Sequence, residues 1–200
     1  MIAEKRDIRL ILDNIRSVHN VGSIFRTAET LGIKKIYCLS TTPTPIDRFG
    51  RSRKDFAKVS LGSESMVSWE HVGAAVGVNE ESADGRGSAG KEAGAVVKAV
   101  KILINKLKKE GFKLIALEQA KGSIDYKEIE LDEGRQKTKV AIILGNEVDG
   151  VSSTLLKEAD VIAEIPLLGK KESLNVSVAG AIFLYRLLDV AYRGRRLTRG

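Results

Sequence analysis

The stretch of sequence that decides the fold is DVIAEIPLLGKKESLNVSVAGAIFLYRLLDVAY, residues 160–192. Its first apolar run, 161–165, is stopped by Pro166, because proline cannot extend strand pairing or enter a helix interior. A polar loop follows, and either Ser173 or Asn175 is suited to cap a long helix after it. The segment therefore predicts a strand, a loop and a C-terminal helix.

The predicted C-terminal helix is apolar on two sides. One set of side chains recurs at three- and four-residue steps: Val176, Ala179, Gly180, Phe183, Leu187 and Val190. A second set covers much of the other side: Val178, Ala181, Ile182, Tyr185 and Leu188. A helix that packs on a sheet needs only one buried face. The second face therefore predicts a subunit interface, and we expect a homodimer.

Composition limits the class of protein. The chain has 200 residues, enough for one α/β domain with a real core, and a formal net charge of +7 that suits an anionic partner or simply solubility. The single cysteine, Cys38, excludes an internal disulfide and a cysteine-clustered zinc site, and we expect no metal. No window resembles a membrane span or a signal peptide, so a cytoplasmic protein is expected.

Strand-like and helix-like segments alternate along the rest of the chain. Strands are predicted at 8–12, 33–39, 112–117 and 140–144, and helices at 21–31, 92–110 and 152–158. Asn20 is the expected N-cap of the first helix, and a short strand with turns is expected within 59–69. Such alternation favours a parallel sheet flanked by helices. We therefore predict a single α/β domain over residues 1–200.

Two segments stand apart from this alternation. Residues 40–58 form a predicted loop that is rich in arginine and lysine, and we interpret it as a phosphate-contacting arm rather than merely a solvated loop. Residues 77–94 are polar and glycine-rich and predict a flexible insertion. The insertion contains G-x-G-x-x-G, but no apolar strand precedes the glycines, so a nicotinamide-dependent reductase is not indicated.

Three short constellations carry chemical interest. Asn20, Gly22 and Arg26 open the first helix, where a glycine would let a ligand approach and an arginine could bind it. Residues 145–150, GNEVDG, follow a buried strand at the place where α/β sheets bind ligands. Residues 165–175 follow the next strand. Each constellation alone also fits an ordinary connection between elements.

Together, in this order, the three constellations resemble the SpoU (TrmH-like) branch of the SPOUT superfamily of RNA 2′-O-ribose methyltransferases. The resemblance covers about residues 8–192. It implies a parallel sheet whose C-terminal segment forms a deep trefoil knot. It also implies a homodimer that joins through the C-terminal helix and acts on RNA. Because no separate RNA-recognition domain is indicated, we expect tRNA rather than rRNA as the substrate.

The resemblance also implies the site. S-adenosylmethionine would be the methyl donor, bound by Leu117, Glu118, Gly145, Ile165, Ser173 and Leu174. Residues with catalytic roles would be Arg26, Asn20, Glu147, Ser173 and Asn175. The family's arginine is often assigned as the base, but a guanidinium is essentially never deprotonated in proteins. We therefore expect Arg26 to bind an RNA phosphate and Asn20 to hold Arg26 or the ribose. The alternative is a non-catalytic RNA-binding dimer of the same fold.

Overall fold

The computed structural model of the protein describes residues 6–73, 88–131 and 138–189. Seven strands lie in these ranges: β1 Arg6–Asp13, β2 Lys35–Leu39, β3 Ser68–Val72, β4 Lys113–Leu117, β5 Ile124–Asp125, β6 Thr138–Leu144 and β7 Val161–Glu164. Five α-helices accompany them: α1 Val18–Thr30, α2 Lys54–Ser60, α3 Ser88–Lys109, α4 Ser153–Glu158 and α5 Val176–Asp189. The predicted α/β class is confirmed.

The strands form one sheet in the order β3-β2-β1-β6-β4-β7-β5, and every pairing between these strands is parallel. A parallel sheet needs helices on both faces, since each strand must return by a crossover. On one face, Leu10 and Leu12 pack with Phe25 of α1 and Phe183 of α5. On the other face, the intervening Ile11 packs with side chains of α3 and α4.

The register of the strands fixes where their loops emerge. Leu144 at the end of β6 pairs with Leu12 of β1 on one side and with Leu117 of β4 on the other. Leu117 in turn pairs with Ala163 of β7. The connections that follow these four strands therefore leave the sheet side by side, at its carboxyl edge.

The C-terminal helix follows the sequence prediction closely. The Asn175 side chain accepts hydrogen bonds from the backbone N–H of Ser177 and Val178, at 2.9 and 3.4 Å, and so caps α5. Gly180 lies so close to β6 that a Cβ there would stand 2.9 Å from a methyl carbon of Leu144. Of the first predicted face, Gly180, Phe183 and Leu187 are buried as expected, Val176 and Ala179 are half-buried, and Val190 lies outside the described residues.

Three local predictions are wrong. Ser17, not Asn20, is the N-cap of α1, and its Oγ accepts a 3.3 Å hydrogen bond from the Asn20 N–H. The stretch expected to be loop up to residue 58 already contains α2. The short strand expected in 59–69 is β3, which begins only at Ser68, after a 3-10 helix. Short elements of this kind carry too few residues to display a period.

The expected flexible insertion at 77–94 lies partly outside the described residues. Residues 77–87 belong to that undescribed part, and 88–94 form the first turns of α3. The polar connection after β4 contains the two-residue strand β5, which the sequence did not indicate. Its predicted apolar contacts, Ile129 and Leu131, are buried. Among the described ranges, none of the helices has the length and hydropathy to cross a membrane.

Candidate active site

A cavity of about 360 Å³ opens at the carboxyl edge of the sheet, between the loops that follow β4, β6 and β7. All six residues predicted to contact a methyl donor line it: Leu117, Glu118, Gly145, Ile165, Ser173 and Leu174. Its size and mixed polar and apolar lining are those of a small-molecule site. The position is the one at which open parallel sheets bind ligands.

The loop after β6 is held in a tight antiparallel turn. Asn146 and Gly150 exchange two backbone hydrogen bonds of 2.9 and 3.1 Å. The buried Asn146 side chain accepts from the N–H of Val148 at 2.8 Å and donates to the carbonyl of Asn14 at 2.6 Å. This role of Asn146 was not predicted from the sequence, although an asparagine that bonds the backbone two residues on is a recognised turn signal.

Gly145 is required by this packing. A Cβ at that position would lie 2.3 Å from both the carbonyl carbon of Gly150 and the nitrogen of Val151. Both atoms belong to the backbone, so they cannot move aside as the end of a side chain can. Glycine at position 145 therefore lets the backbone of Gly150 and Val151 pack directly against it.

Glu118 ties the β4 loop to the β6 loop. One carboxylate oxygen accepts from the Val151 N–H at 2.7 Å, and the other accepts from the Gln119 N–H at 2.9 Å. Glu118 lines the cavity as predicted, and it also acts as a brace between two of its walls. That bracing role was not evident in the sequence, because the two partners stand 33 positions apart.

A continuous chain of side-chain hydrogen bonds connects the three sequence constellations. The Glu147 carboxylate accepts from the Asn20 amide at 2.8 Å, and the Asn20 oxygen accepts from the Asn175 amide at 2.9 Å. The partners at the two ends of the chain determine which side-chain atom of Asn20 donates and which accepts. Glu147 can only accept, and the Asn175 oxygen is occupied by the Ser177 N–H. Helix α1, the β6 loop and the cap of α5 are thereby held together.

Glu147 is also held by backbone donors. The N–H groups of Arg16 and Ser17 donate to its two oxygens at 3.0 and 3.1 Å. Burial alone would raise the pKa of this carboxyl, but the hydrogen bonds from Arg16, Asn20 and Ser17 outweigh that effect and lower the pKa of Glu147. Glu147 is therefore an anchor in its ionised form rather than a proton donor at neutral pH.

Arg26 lies on the same helix as Asn20 but outside the cavity lining. Its side chain is exposed, and within the described residues no carboxylate pairs with it. Asn20 was expected to hold Arg26 or the ribose; its amide is bonded to Glu147 and Asn175 rather than to Arg26, and contact with the ribose stays a prediction. Gly22 is buried against α2, where a Cβ would meet the Val59 side chain at 2.9 Å, so its role is helix packing and not ligand approach.

The predicted catalytic residues thus fall into three groups. Glu147 and Ser173 line the cavity, Asn20 and Asn175 stand behind it in the hydrogen-bonded chain, and Arg26 is exposed on α1. No cluster of metal-ligating side chains occurs in the part of the chain that the structure describes. The arrangement suits binding and orientation of an organic ligand.

A parallel α/β sheet with a ligand-sized cavity at its carboxyl edge defines a class of proteins that bind nucleotides and related cofactors. Within that class, the model of the SpoU rRNA Methylase family matches residues 7–88 and 76–185, nearly the whole chain. The chain belongs to this family. The resemblance drawn from the three constellations is confirmed.

Named relatives agree with this assignment. The chain is 27% identical over 186 residues to the tRNA (guanosine(18)-2'-O)-methyltransferase of Aquifex aeolicus, covering 92% of this chain and 71% of that protein. It is 25% identical over 186 residues to the protein of the same name from Escherichia coli, covering 92% of this chain and 65% of that protein.

Solved structures share the fold. The crystal structure of the A. aeolicus TrmH/SpoU tRNA modifying enzyme has a TM-score of 0.68 and 25% identity, over 96% of this chain and 80% of that one. An AdoMet-bound rRNA methyltransferase from Sinorhizobium meliloti has a TM-score of 0.68 at 22% identity, over 98% of this chain and 60% of that one. The chain thus spans between 60% and 80% of the length of these two structures.

Proposed function

We propose that the chain transfers a methyl group from S-adenosylmethionine to a ribose 2′-hydroxyl of RNA, with tRNA as the preferred substrate and rRNA as the other candidate. The observation that carries this proposal is that two of the three sequence constellations line one cavity, and that Asn20 of the third is bonded to both of them. The three constellations are joined by the Glu147–Asn20–Asn175 hydrogen bonds. The substrate preference rests on the tRNA names of the two relatives above.

The cavity lining fits S-adenosylmethionine. Apolar walls from Leu117, Ile165 and Leu174 suit the adenine ring, and the absence of a side chain on Gly145 leaves backbone accessible beside it. Carboxylates at the rim, including Glu172, suit a ligand that carries a sulfonium and an ammonium charge. When bound, this cofactor supplies an electrophilic methyl group.

The remaining work belongs to the protein and consists of positioning. Ser173 stands at the cavity wall, exposed, where its hydroxyl can contact the cofactor or the incoming ribose. Asn20 and Asn175 act through Glu147 and the cap of α5, so they are positioning residues. Arg26 binds the phosphate next to the target ribose with its planar donor fork, and water or the substrate itself receives the hydroxyl proton.

Two finer features accompany the proposal. We place the C-terminal segment in a trefoil knot. Two contacts of the segment after β4 support this proposal. Strand β5 pairs with the outer edge of β7, and Arg186 of α5 donates a 2.9 Å hydrogen bond to the carbonyl of Lys127. We also propose that a second copy of the chain covers the exposed face of α5. An experimental backbone trace from β4 through α5 tests the knot.

The activity is tested by calorimetry and by methyl transfer. Titration with S-adenosylmethionine should give one binding site per chain, and radiolabelled methyl should then enter RNA isolated from cells that lack the protein. Mapping the 2′-O-methyl positions identifies the substrate. Cofactor binding without transfer to any RNA contradicts the proposed activity, whereas RNA binding without cofactor binding supports the non-catalytic RNA-binding dimer.

A further inference from the structure

The loop after β2 contains a rigid turn that the proposed chemistry leaves unused. Asp47 organises it: one carboxylate oxygen accepts from the N–H groups of Phe49 and Arg51, at 2.8 and 2.9 Å. The Asp47 N–H donates to the Arg51 carbonyl at 2.8 Å, and Gly50 adopts the positive φ of +76° that the turn needs. The turn is therefore preorganised.

This turn holds an aromatic ring in solvent. Phe49 is 65% exposed, although phenylalanine is among the residues most often buried. The guanidinium carbons of Arg48 and Arg51 lie 4.8 and 4.9 Å from the ring centroid, within the range of cation–π attraction. An exposed ring with two arginines next to it combines a stacking surface with positive charge.

The loop that carries the ring has more positive than negative side chains. The two carboxylates of the region, Asp47 and Asp55, are already paired with Arg51 and Arg53 at 2.8 and 2.7 Å. Three further cationic side chains have no ion-pair partner within the described residues: Arg48, Lys54 and Lys58. A surface with surplus cations beside an aromatic ring is suited to a polyanion with planar groups.

The turn stands on the same edge of the sheet as the cavity. Thr41 donates to the Asn14 side chain at 3.2 Å, and Thr42 donates to the Leu12 carbonyl at 3.0 Å, so the loop is fastened to the end of β1. At its other end, Phe56 of α2 packs edge-on against Phe25 with ring centroids 5.2 Å apart. Phe25 is the neighbour of Arg26, so the turn has a fixed position relative to that arginine.

We propose that Phe49 is a stacking platform for an unpaired base of the RNA substrate, with Arg48 on the adjoining phosphate. This inference rests on the proposed RNA methyltransfer and deepens it, because it requires a target nucleotide that lies near unpaired bases. Sequence-tolerant recognition of single-stranded RNA characteristically uses aromatic rings on which bases stack, next to cationic groups.

The test separates base stacking from phosphate attraction. Binding of two short single strands of equal length is measured, one oligoadenylate and one abasic. Phe49→Ala should weaken oligoadenylate binding by about tenfold and leave the abasic strand unchanged. Phe49→Tyr, which keeps the ring, should retain most of the affinity. Arg48→Ala should weaken both strands and reduce the salt dependence.

A matched control is Met66→Ala, which removes another exposed apolar side chain and should change neither affinity. The inference is overturned if Phe49→Ala changes the affinity for both strands equally or for neither. It is also overturned if the wild-type protein does not bind oligoadenylate more tightly than the abasic strand. A change of sedimenting mass in Phe49→Ala also overturns it, because Phe49 would then contact a second protein chain. Methyl transfer is measured in a separate assay. Base-dependent binding without methyl transfer would contradict the proposed activity but not the stacking role of Phe49.

Discussion

Arg26 carries a charge that no carboxylate among the described residues neutralises, and it is exposed on the helix that also holds Asn20. A bidentate donor fork in this position suits the phosphate of a bound RNA. Because the side chain lies outside the cavity lining, its removal should disturb neither the fold nor cofactor binding. Substitution of Arg26 therefore tests methyl transfer separately from cofactor binding.

Arg26→Ala is expected to lower methyl transfer by about 10²- to 10³-fold while melting temperature and S-adenosylmethionine affinity stay close to wild type. Arg26→Lys should also be poorly active, because an ammonium cannot reproduce the planar fork. Radiolabel transfer and calorimetry measure the two properties. Lys34→Ala, which removes an exposed cation elsewhere, serves as the control, and wild-type turnover in Arg26→Ala would refute the role.

Glu147 provides a prediction about pH. Its hydrogen bonds lower its pKa in the folded chain below the ordinary glutamate value of about 4.3, so the unfolded chain binds the proton more readily. The stability that this carboxylate contributes is therefore fully present at a pH above the pKa of Glu147 in the unfolded chain. It is lost as the pH falls through the lower pKa of the folded chain. In the acid range, other carboxylates titrate too, so a variant comparison is needed.

Glu147→Gln should be less stable than wild type at pH 7, because an amide replaces one of two accepting oxygens with a donor. The difference between the two proteins should shrink as the pH is lowered through the range below about 4.3, since wild-type Glu147 becomes protonated there. Urea denaturation midpoints from pH 7 to below pH 4 measure it. A difference that stays constant across this range would show that the charge of Glu147 is not what stabilises the loop.

At the scale of elements, the sequence predicts long or strongly apolar segments and misses short ones. Strand β6 is a continuous apolar run and helix α5 has a clear period, and Asn175 was one of the two caps that the sequence indicated for α5. Strand β5 has two residues and no pattern, and the sequence indicated Asn20 as the cap of α1, whereas the structure has Ser17 there. Ser17 is identified as the cap by the hydrogen bond that its Oγ accepts from the Asn20 N–H in the folded chain.

The candidate site divides in the same way. Residues that follow strand ends could be predicted to line the cavity, because the carboxyl edge of a parallel sheet gathers those loops. The bond from Asn175 to Asn20 could not, since it joins residues 155 positions apart and depends on the sheet order. Gly22 shows the opposite failure: glycine suggested room for a ligand, and the space is filled by Val59.

Gly145 and Gly169 form a matched pair of glycines in two loops at the same edge of the sheet. Gly145→Ala forces a Cβ to within 2.3 Å of backbone atoms of the facing turn, whereas a Cβ on Gly169 meets nothing within 4 Å. Gly145→Ala should destabilise the fold by about 1–3 kcal/mol and weaken S-adenosylmethionine binding, while Gly169→Ala should do neither. Thermal melting and calorimetry compare the two. Equal behaviour would mean that the β6 loop tolerates a larger opening than its packing indicates.

Helix α5 belongs both to the core of the protein and to the candidate site. Phe183 and Leu187 are buried on the sheet, and Asn175 at the start of the helix holds Asn20. We therefore expect a disturbance of this helix to reach the cavity through the bond between Asn175 and Asn20. The proposed dimer contact on its outer face should therefore affect activity as well as assembly.

The outer face of α5 presents Val178, Ile182 and Tyr185 to solvent, 47%, 37% and 54% exposed in a single chain. A contiguous apolar stripe of this kind is unusual on a monomer, and an aspartate placed there would be buried unpaired when a second copy covers it. Ile182→Asp should therefore shift the mass in analytical ultracentrifugation from dimer toward monomer and lower RNA methylation. Ile102→Asp, at an exposed isoleucine of α3, should leave both unchanged. A wild-type protein that sediments as a monomer at micromolar concentration and still methylates RNA would show that the stripe has another purpose.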